Sequence, residues 1–240
     1  MNPPTRLPAA ASRRVRDRLA RATDGPVRVL HRGPHSIYLE LGPSTGSGQA
    51  AWCVGVVDAE AAQVPCALQT PSLAGIVGDR AAIEGGVLHL DGVPLRIGRV
   101  VDVAVPALRL LPRAERPADA PAPDHAAWAD GLVGAGDGLT PYGDDVLCGW
   151  LAIHRAAGVA TPVMDAAARS LLYRTTLLSA TLLDCAMHGE VLPEFAAWVA
   201  ALGTPAEPAA AATVAAIGHT SGRGLLTGAR QALSELAVAA

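Results

Sequence analysis

The hydrophobic pattern changes once along the chain. From Val27 to about Leu111, apolar residues occur in short runs bounded by Gly, Pro or Asp, which is typical of β-strands. Asp91-Gly92 separates two runs and predicts a tight hairpin, because both central positions of such a turn favour positive φ. Helices long enough for parallel crossovers are missing, so we predict an antiparallel sandwich or barrel. The predicted strands are 27–30, 36–41, 51–57, 86–90, 95–97 and 100–105.

From Asp124 onward the apolar spacing becomes helical. Near the N-terminus, Val15 and Leu19 at i, i+4 predict a short surface helix. Between the two patterns, Pro112 to Asp124 is rich in proline without periodicity and predicts a linker. The predicted helices of the second half are 124–132, 144–157, 163–188, 191–202, 206–217 and 222–238.

These patterns predict an α+β protein with an N-terminal antiparallel β sandwich or barrel and an α-helical C-terminal half. We divide it into a mainly β region with an N-terminal helix (1–115), a Pro/Ala-rich linker (116–130) and a helical region (131–240).

Composition narrows the function. The 240 residues are 50% hydrophobic but only 3% aromatic, so the cores consist of Ala, Val and Leu, and no aromatic platform for nucleic-acid bases is expected. The net charge of −3 and pI near 6.1 also argue against nucleic-acid binding. The chain contains no lysine, which excludes Schiff-base chemistry and a Walker A phosphate loop.

The four cysteines are far apart and form no C-x-x-C pair, so neither a zinc site nor a redox dithiol is predicted. Buried thiols in a reduced, cytoplasmic protein are the expectation. No charge-free run of 18 apolar residues exists, so no membrane span is predicted.

The densest motif is Gly131-Leu-Val-Gly-Ala-Gly-Asp-Gly-Leu-Thr-Pro-Tyr-Gly-Asp-Asp145. Glycines at 134, 136, 138 and 143 allow positive φ angles and can turn backbone amides toward one point, which makes an anion cradle. Thr140-Pro141 predicts a helix start, with the threonine hydroxyl as cap.

Asp144 and Asp145 admit two interpretations. Carboxylates near a helix N-terminus are favoured by the helix dipole, so both can serve as capping residues. Alternatively, they hold Mg²⁺ beside a phosphate in the glycine cradle, because two carboxylates next to an anion need a cation between them.

Three other segments stand out. Gly42–Gly48 predicts a flexible hairpin loop rather than a phosphate loop, since no helix pattern follows it. Cys66–Ser72 is a polar break that could supply hydrogen-bonding groups to a cleft. Thr175–Thr181 concentrates hydroxyls that compete with helix backbone bonds, so they line a polar cleft or face solvent.

The sequence pattern of Gly143–Gly149 (GDDVLCG) recurs at Gly222–Gly228 (GRGLLTG), with Arg223 and Gly224 in place of the two aspartates. The two turns could face each other across a cleft, with a cation at the aspartates and an anion at Arg223 and the amides of 218–221. Chance similarity between two glycine-flanked helices is the alternative.

Residues 134–149 resemble the signature G-x-G-x-G-L-T-P-x-G-D-D-x-L-x-G of a bacterial domain-of-unknown-function family that includes the AllH-type subunit of oxamate carbamoyltransferase. The resemblance extends to Thr176, Ser179, Ala180, Gly189-Glu190 and 218–222, which is about the C-terminal half. The chain departs from the family pattern at Asp137, Tyr142 and Gly224, where the family tends to have proline, serine and aspartate.

The resemblance implies one subunit of a complex of three different subunits in allantoin degradation, a branch of purine catabolism. The complex converts oxalurate and phosphate to oxamate and carbamoyl phosphate. In this hypothesis Asp144 and Asp145 hold Mg²⁺ or orient the substrate, and Thr140 or His219 assists with a proton. The expected binding residues for the small anionic substrate are Gly134, Gly136, Gly138, Gly143, Ser179, Ser221 and Arg223.

Two other functions compete with this hypothesis. One is a non-catalytic scaffolding or ligand-binding subunit whose glycines let helices pack closely, which the Gly224 departure favours. The other is a metal-dependent hydrolase of a small amide, which would turn over substrate without any partner.

Overall fold

The computed structural model describes residues 6–42, 51–108 and 124–236. The chain divides into two units, Met1–Val103 and Ala104–Ala240. The first unit contains one helix, α1 (Arg13–Arg21), among its described residues. Its strands are β1 (Leu7–Ser12), β2 (Gly25–Arg32), β3 (Ser36–Leu41), β4 (Trp52–Val57), β5 (Ala67–Gln69), β6 (Ala81–Glu84), β7 (Val87–Leu90) and β8 (Val93–Val101).

These strands form a closed barrel in the order β1-β5-β4-β3-β2-β6-β7-β8. The barrel prediction is confirmed and the sandwich alternative is wrong. The antiparallel prediction holds only in part, because β1 pairs with β8 and β4 pairs with β5 in parallel. A non-helical loop over 58–66 makes the β4-to-β5 crossover, so the lack of a helix did not exclude a parallel pair.

Two local predictions in the barrel are confirmed. Asp91 and Gly92 form the turn between β7 and β8 with φ of 51° and 82°. The Asp91 carboxylate also accepts the amides of residues 77–80, which fixes a neighbouring loop. Helix α1 buries Val15 and Leu19 as their spacing predicted, and Ser12 caps it by accepting the Val15 amide at 3.3 Å.

Two predicted connections fall largely on residues outside the described ranges. Of the loop Gly42–Gly48, only Gly42 is described, although the strands on either side, β3 and β4, pair antiparallel as in a hairpin. The linker prediction over 116–123 lies outside the described residues. The rest of that segment enters helix α2, as the helical pattern from 124 predicted.

The described part of the second unit is helical. No helix among the described residues is both long and apolar enough to cross a membrane. A short 3-10 turn, Leu172–Arg174, joins α4 to the threonines before α5. The α-helices are α2 (His125–Leu132), α3 (Tyr142–Ala156), α4 (Pro162–Leu171), α5 (Leu177–Met187), α6 (Pro193–Ala201), α7 (Glu207–Ala215) and α8 (Ser221–Glu235).

Helix α3 is the centre of this unit. It packs against α2, α5 and α8 and is buried along nearly its whole length, from Gly143 to His154. A helix surrounded on all sides is typically apolar all round, as Val146 to Ile153 are here. The first turn of α3, which carries Asp144 and Asp145, is therefore held inside the protein.

The single helix predicted over 163–188 is wrong. The chain leaves the helix after Leu171, and Thr176 starts a new one by accepting the Ser179 amide at 3.0 Å. The hydroxyl of Thr175 bonds to Asp144 instead of continuing the helix. The break therefore lies at Thr175 and Thr176, whose hydroxyls bond to Asp144 and to the Leu139 carbonyl oxygen, whereas Ser179 and Thr181 lie within α5.

Helices α3 and α8 touch backbone to backbone. A Cβ placed on Gly149 would lie 2.0 Å from the Leu225 carbonyl oxygen, and one on Gly228 would lie 1.8 Å from the Val146 carbonyl oxygen. The recurring glycine pattern therefore lets two helices pack directly against each other, and no cleft separates the helix bodies.

Replacing Gly228 by alanine is expected to destabilise the protein by about 2 kcal/mol, because the new methyl group forces α8 away from α3. Gly131→Ala in α2 is the matched control, since a Cβ there meets no atom within 4 Å and alanine is the better helix former. Urea unfolding should show a lower free energy of unfolding for Gly228→Ala and no decrease for Gly131→Ala. Equal stability of the two variants would contradict the packing described.

Candidate functional site

The loop before α3 has the backbone that its glycines predict. Gly134, Gly136 and Gly138 have φ of 77°, 116° and 92°, a region that residues with side chains rarely adopt. Gly143 serves a different purpose: a Cβ at that position would lie 2.2 Å from the Leu132 carbonyl oxygen, so it permits close approach of α2. Within the described residues, the amides of Gly136 and Gly138 donate to no protein acceptor.

Asp144 is fully buried, with 0% exposure. Its Oδ1 accepts the Gly134 amide at 2.9 Å, and its Oδ2 accepts the hydroxyls of Ser179, at 2.6 Å, and of Thr175. Both carboxylate oxygens are thus engaged within the protein. The Gly134 amide and the Ser179 hydroxyl, which we predicted as substrate contacts, are bonded to Asp144.

Asp145 has a different environment. It is 5% exposed, and its Oδ2 is buried with no hydrogen-bond partner among the described residues. Burial raises the pKa of Asp145 from 3.8 to about 7, and the charge of Asp144 adds to this, while the hydroxyls of Ser221 and Thr140 oppose it. A carboxyl with a pKa near 7 can gain or lose a proton at neutral pH.

The hydroxyls beside Asp145 come from two helix starts. Thr140 precedes α3, Ser221 begins α8, and their Oγ1 and Oγ atoms are hydrogen-bonded at 2.8 Å. The prediction that Thr140 caps α3 is wrong, because Pro141 occupies the cap position and no side-chain cap bond forms there. We call Asp145, Thr140 and Ser221 the Asp145 cluster.

The position of α8 at this cluster depends on Gly224. A Cβ there would lie 2.7 Å from the Cβ of Asp145 and 3.2 Å from the Tyr142 carbonyl oxygen. A side chain at this position would therefore require α8 to shift. The glycine brings α8 against Asp145.

Arg223 and His219 are exposed at the start of α8. The Arg223 guanidinium donates to the His219 carbonyl oxygen at 2.7 Å. It also lines a groove of about 590 Å³ together with Tyr142, residues of α7, and Arg230. The starts of α3 and α8 therefore lie next to each other, as the recurring pattern suggested. The Arg223 side chain, however, lines the groove beside α7.

Thr175 is the partner of Asp144 that sequence reasoning did not assign. The hydroxyl-rich stretch 175–181 signalled polar contacts there, but a sequence does not specify which carboxylate they meet. The bond between the hydroxyls of Tyr142 and Thr227, 3.1 Å long, was likewise not predicted. Within the described ranges, no three or more His, Cys, Asp and Glu side chains are grouped so as to hold a metal ion.

One comparison bears on this part of the chain. Residues 132–233 match the family model of the oxamate carbamoyltransferase subunit AllH. The resemblance stated from the sequence is thereby confirmed. The matched segment contains the glycine loop, both aspartates and the start of α8, and none of the barrel. No curated protein and no solved structure matches the chain.

Proposed function

We propose that this chain is a subunit of a carbamoyltransferase of the oxamate type and that the Asp145 cluster is its ligand site. The observation that carries the proposal is the buried Asp145 carboxyl, which has one oxygen without a partner. Thr140 and Ser221 beside it are only partly buried, so the cluster has a side that faces solvent. Strongly shifted carboxyls of this kind concentrate at functional sites.

The proposed chemistry uses Asp145 as an acid. In the reaction that the resemblance implies, phosphate oxygen attacks the carbamoyl carbon of oxalurate, the C–N bond breaks, and the departing oxamate nitrogen needs a proton. An acid with a pKa near 7 is well matched to this transfer at neutral pH. Hydroxyls and amides near the reacting carbonyl would stabilise the charge that develops on its oxygen.

The substrate's anionic groups would lie at the exposed part of the glycine loop. The amides of Gly136 and Gly138 are the proposed donors, because Gly134 is bonded to Asp144. Mg²⁺ at the aspartates is the alternative to this acid role, because a carboxyl that holds Mg²⁺ is ionised and cannot donate a proton. Companion subunits, as the family description suggests, complete the proposed enzyme.

A scaffolding subunit is the second candidate. The direct packing of α3 on α8 and the three hydrogen bonds that Asp144 accepts within the protein favour it, because both give the motif a purely structural use. The two candidates differ in one respect. Only a ligand-binding subunit has a use for the unpartnered oxygen of Asp145.

Calorimetric titration of the protein with carbamoyl phosphate and with oxamate, each with and without Mg²⁺, tests the proposal. We expect binding that weakens about tenfold or more in Asp145→Asn, which replaces the carboxyl O–H donor by an amide, and in Ser221→Ala, which removes a hydroxyl. Affinity should also fall as pH rises above 7, since an ionised Asp145 repels an anion. Unfolding curves of the same samples show that each variant is folded.

Asp130→Asn is the control, because Asp130 is exposed on α2 and forms an ion pair with Arg174 at 2.8 Å. Equal affinity in the parent and the Asp145→Asn variant would refute the site. No binding by the parent would favour the scaffolding subunit, and turnover by the chain alone would favour the amide hydrolase.

A further inference from the structure

The groove of about 590 Å³ in the helical unit is lined mainly by α7 and α8, and we call it the α7–α8 groove. Its α7 wall is a stripe of small residues, Pro208, Ala211, Ala212 and Ala215. Their three- and four-residue spacing puts them on one face of α7 over two helical turns. Helices approach each other most closely where the side chains between them are small. The wall therefore has the length and the surface to seat a helix.

The α8 wall of the groove carries positive charge. Arg223, Thr227 and Arg230 line it and are exposed. The two arginines are seven residues apart, so they share one face of α8 about 10.5 Å apart along its axis. Leu226, which is 3% exposed, adds an apolar surface between the two walls. The groove thus combines an apolar surface with two cations at a defined spacing.

Neither cation is neutralised by the part of the chain that the structure describes. Arg230 forms no hydrogen bond or ion pair there, and the Arg223 guanidinium donates to the backbone carbonyl oxygen of His219 rather than to a carboxylate. No aspartate or glutamate is among the described residues that line the groove. A partner that covers the groove must bring carboxylates, because a guanidinium that loses its water needs an anion in exchange.

A second copy of this chain does not offer those carboxylates at the required spacing. A helix that pairs with both arginines needs two carboxylates seven residues apart on one face. Among the described helices only α3 contains two acidic residues, and these are the adjacent and buried Asp144 and Asp145. The charge pattern therefore favours a helix from a different protein.

We propose that the α7–α8 groove docks an acidic amphipathic helix of a partner protein. The apolar face of that helix packs on the small residues of α7, and two of its carboxylates, two turns apart, bind Arg223 and Arg230. Arginine suits this contact because its paired donors match the two oxygens of a carboxylate. No residue of the Asp145 cluster lines the groove, so the inference does not depend on the proposed function.

Three synthetic helical peptides of equal length test the groove, each titrated with the full chain and followed by fluorescence anisotropy. The matched peptide is alanine-rich and carries two glutamates seven residues apart. The shifted peptide has the same composition with the glutamates five residues apart, which puts them on different faces, and the third peptide has lysines at the matched positions. We expect the matched peptide to bind about tenfold more tightly than the shifted one and the lysine peptide not to bind, because exposed ion pairs contribute modestly but add up.

Variants of the chain locate the bound peptide. Arg223→Gln and Arg230→Gln should each weaken the matched peptide about threefold, since each removes one ion pair. Ala212→Leu should weaken both glutamate peptides, because the larger side chain fills the groove. Arg169→Gln is the control, since Arg169 is an exposed arginine of α4 that does not line the groove, and it should leave the affinity unchanged. Unfolding curves show that each variant is folded.

Three results would overturn the proposal. They are equal affinity for the matched and shifted peptides, no binding of any peptide, and full affinity for the matched peptide in the Arg223→Gln, Arg230→Gln double variant. Light scattering of the parent and of Ala212→Leu tests the other occupant. A parent that dimerises and a variant that does not would assign the groove to a second copy of this chain instead.

Discussion

Replacing Asp144 by alanine is expected to lower the free energy of unfolding by about 4 kcal/mol, a large part of the stability of an ordinary domain. The change removes a fully buried acceptor from the Gly134 amide and from the hydroxyls of Thr175 and Ser179. A buried donor such as the Ser179 hydroxyl costs about 1–3 kcal/mol when it loses its partner, and the partly buried Gly134 and Thr175 donors add a smaller cost each. Urea unfolding followed by circular dichroism measures the loss.

Two further variants make this prediction specific. Asp144→Asn should lose less than half as much, because its amide oxygen can accept from Gly134 while the hydroxyls of Thr175 and Ser179 rotate to accept from its nitrogen. Asp137→Ala removes an exposed carboxylate from the same loop and should change stability by less than about 0.5 kcal/mol. If the free energy of unfolding of Asp144→Ala lay within about 1 kcal/mol of that of the parent, the three contacts would not support the fold.

The hydrophobic pattern located most of the helices and the long strands, because each has a clear apolar face or run. It missed β1, β5 and β6, which span Leu7–Ser12, Ala67–Gln69 and Ala81–Glu84. These strands are short and rich in alanine, and they carry little of the β-branched and aromatic signal that marks a strand. Barrel closure by β1 and β8 is a pairing of distant segments, which local periodicity does not encode.

The sequence singled out both aspartates but could not separate their roles. Successive residues of a helix point about 100° apart, so Asp144 and Asp145 necessarily face different neighbours. Asp144 faces Thr175 and Ser179, whereas Asp145 faces Ser221. Those neighbours are 31 to 76 positions away along the chain, so only the packing of α5 and α8 on α3 defines them.

Asp144 and Asp145 affect stability differently because they accept different numbers of hydrogen bonds. Three hydrogen bonds stabilise Asp144 inside the protein, so its burial contributes to the fold. Asp145 is buried with an unpartnered oxygen, so its ionised form is unfavourable in the folded state. One aspartate of the pair therefore stabilises the structure, and the other destabilises it whenever it is charged.

Asp145→Asn is consequently expected to gain stability relative to the parent as pH rises. The folded-state pKa of about 7 lies above the ordinary value of 3.8, so between these values the folded parent holds a proton that the unfolded chain has released. The contribution of Asp145 to the free energy of unfolding of the parent is most favourable below about pH 4. It falls as pH rises toward 7 and no longer changes above that pH. An asparagine at this position does not titrate, so it adds no such pH dependence to the stability of the variant.

Unfolding free energies of the parent and the variant at pH 5, 6, 7 and 8 measure this effect. Their difference should change by about 3 kcal/mol in favour of the variant between pH 5 and 8, since each pKa unit corresponds to about 1.4 kcal/mol. Asp130→Asn, which removes an exposed charge, should instead follow the parent. Parallel pH profiles for the parent and Asp145→Asn would mean that Asp145 is already ionised in the folded protein, and the proposed acid would lose its basis. A gain in stability together with loss of carbamoyl phosphate binding is the combination expected of a residue whose unfavourable burial serves a ligand.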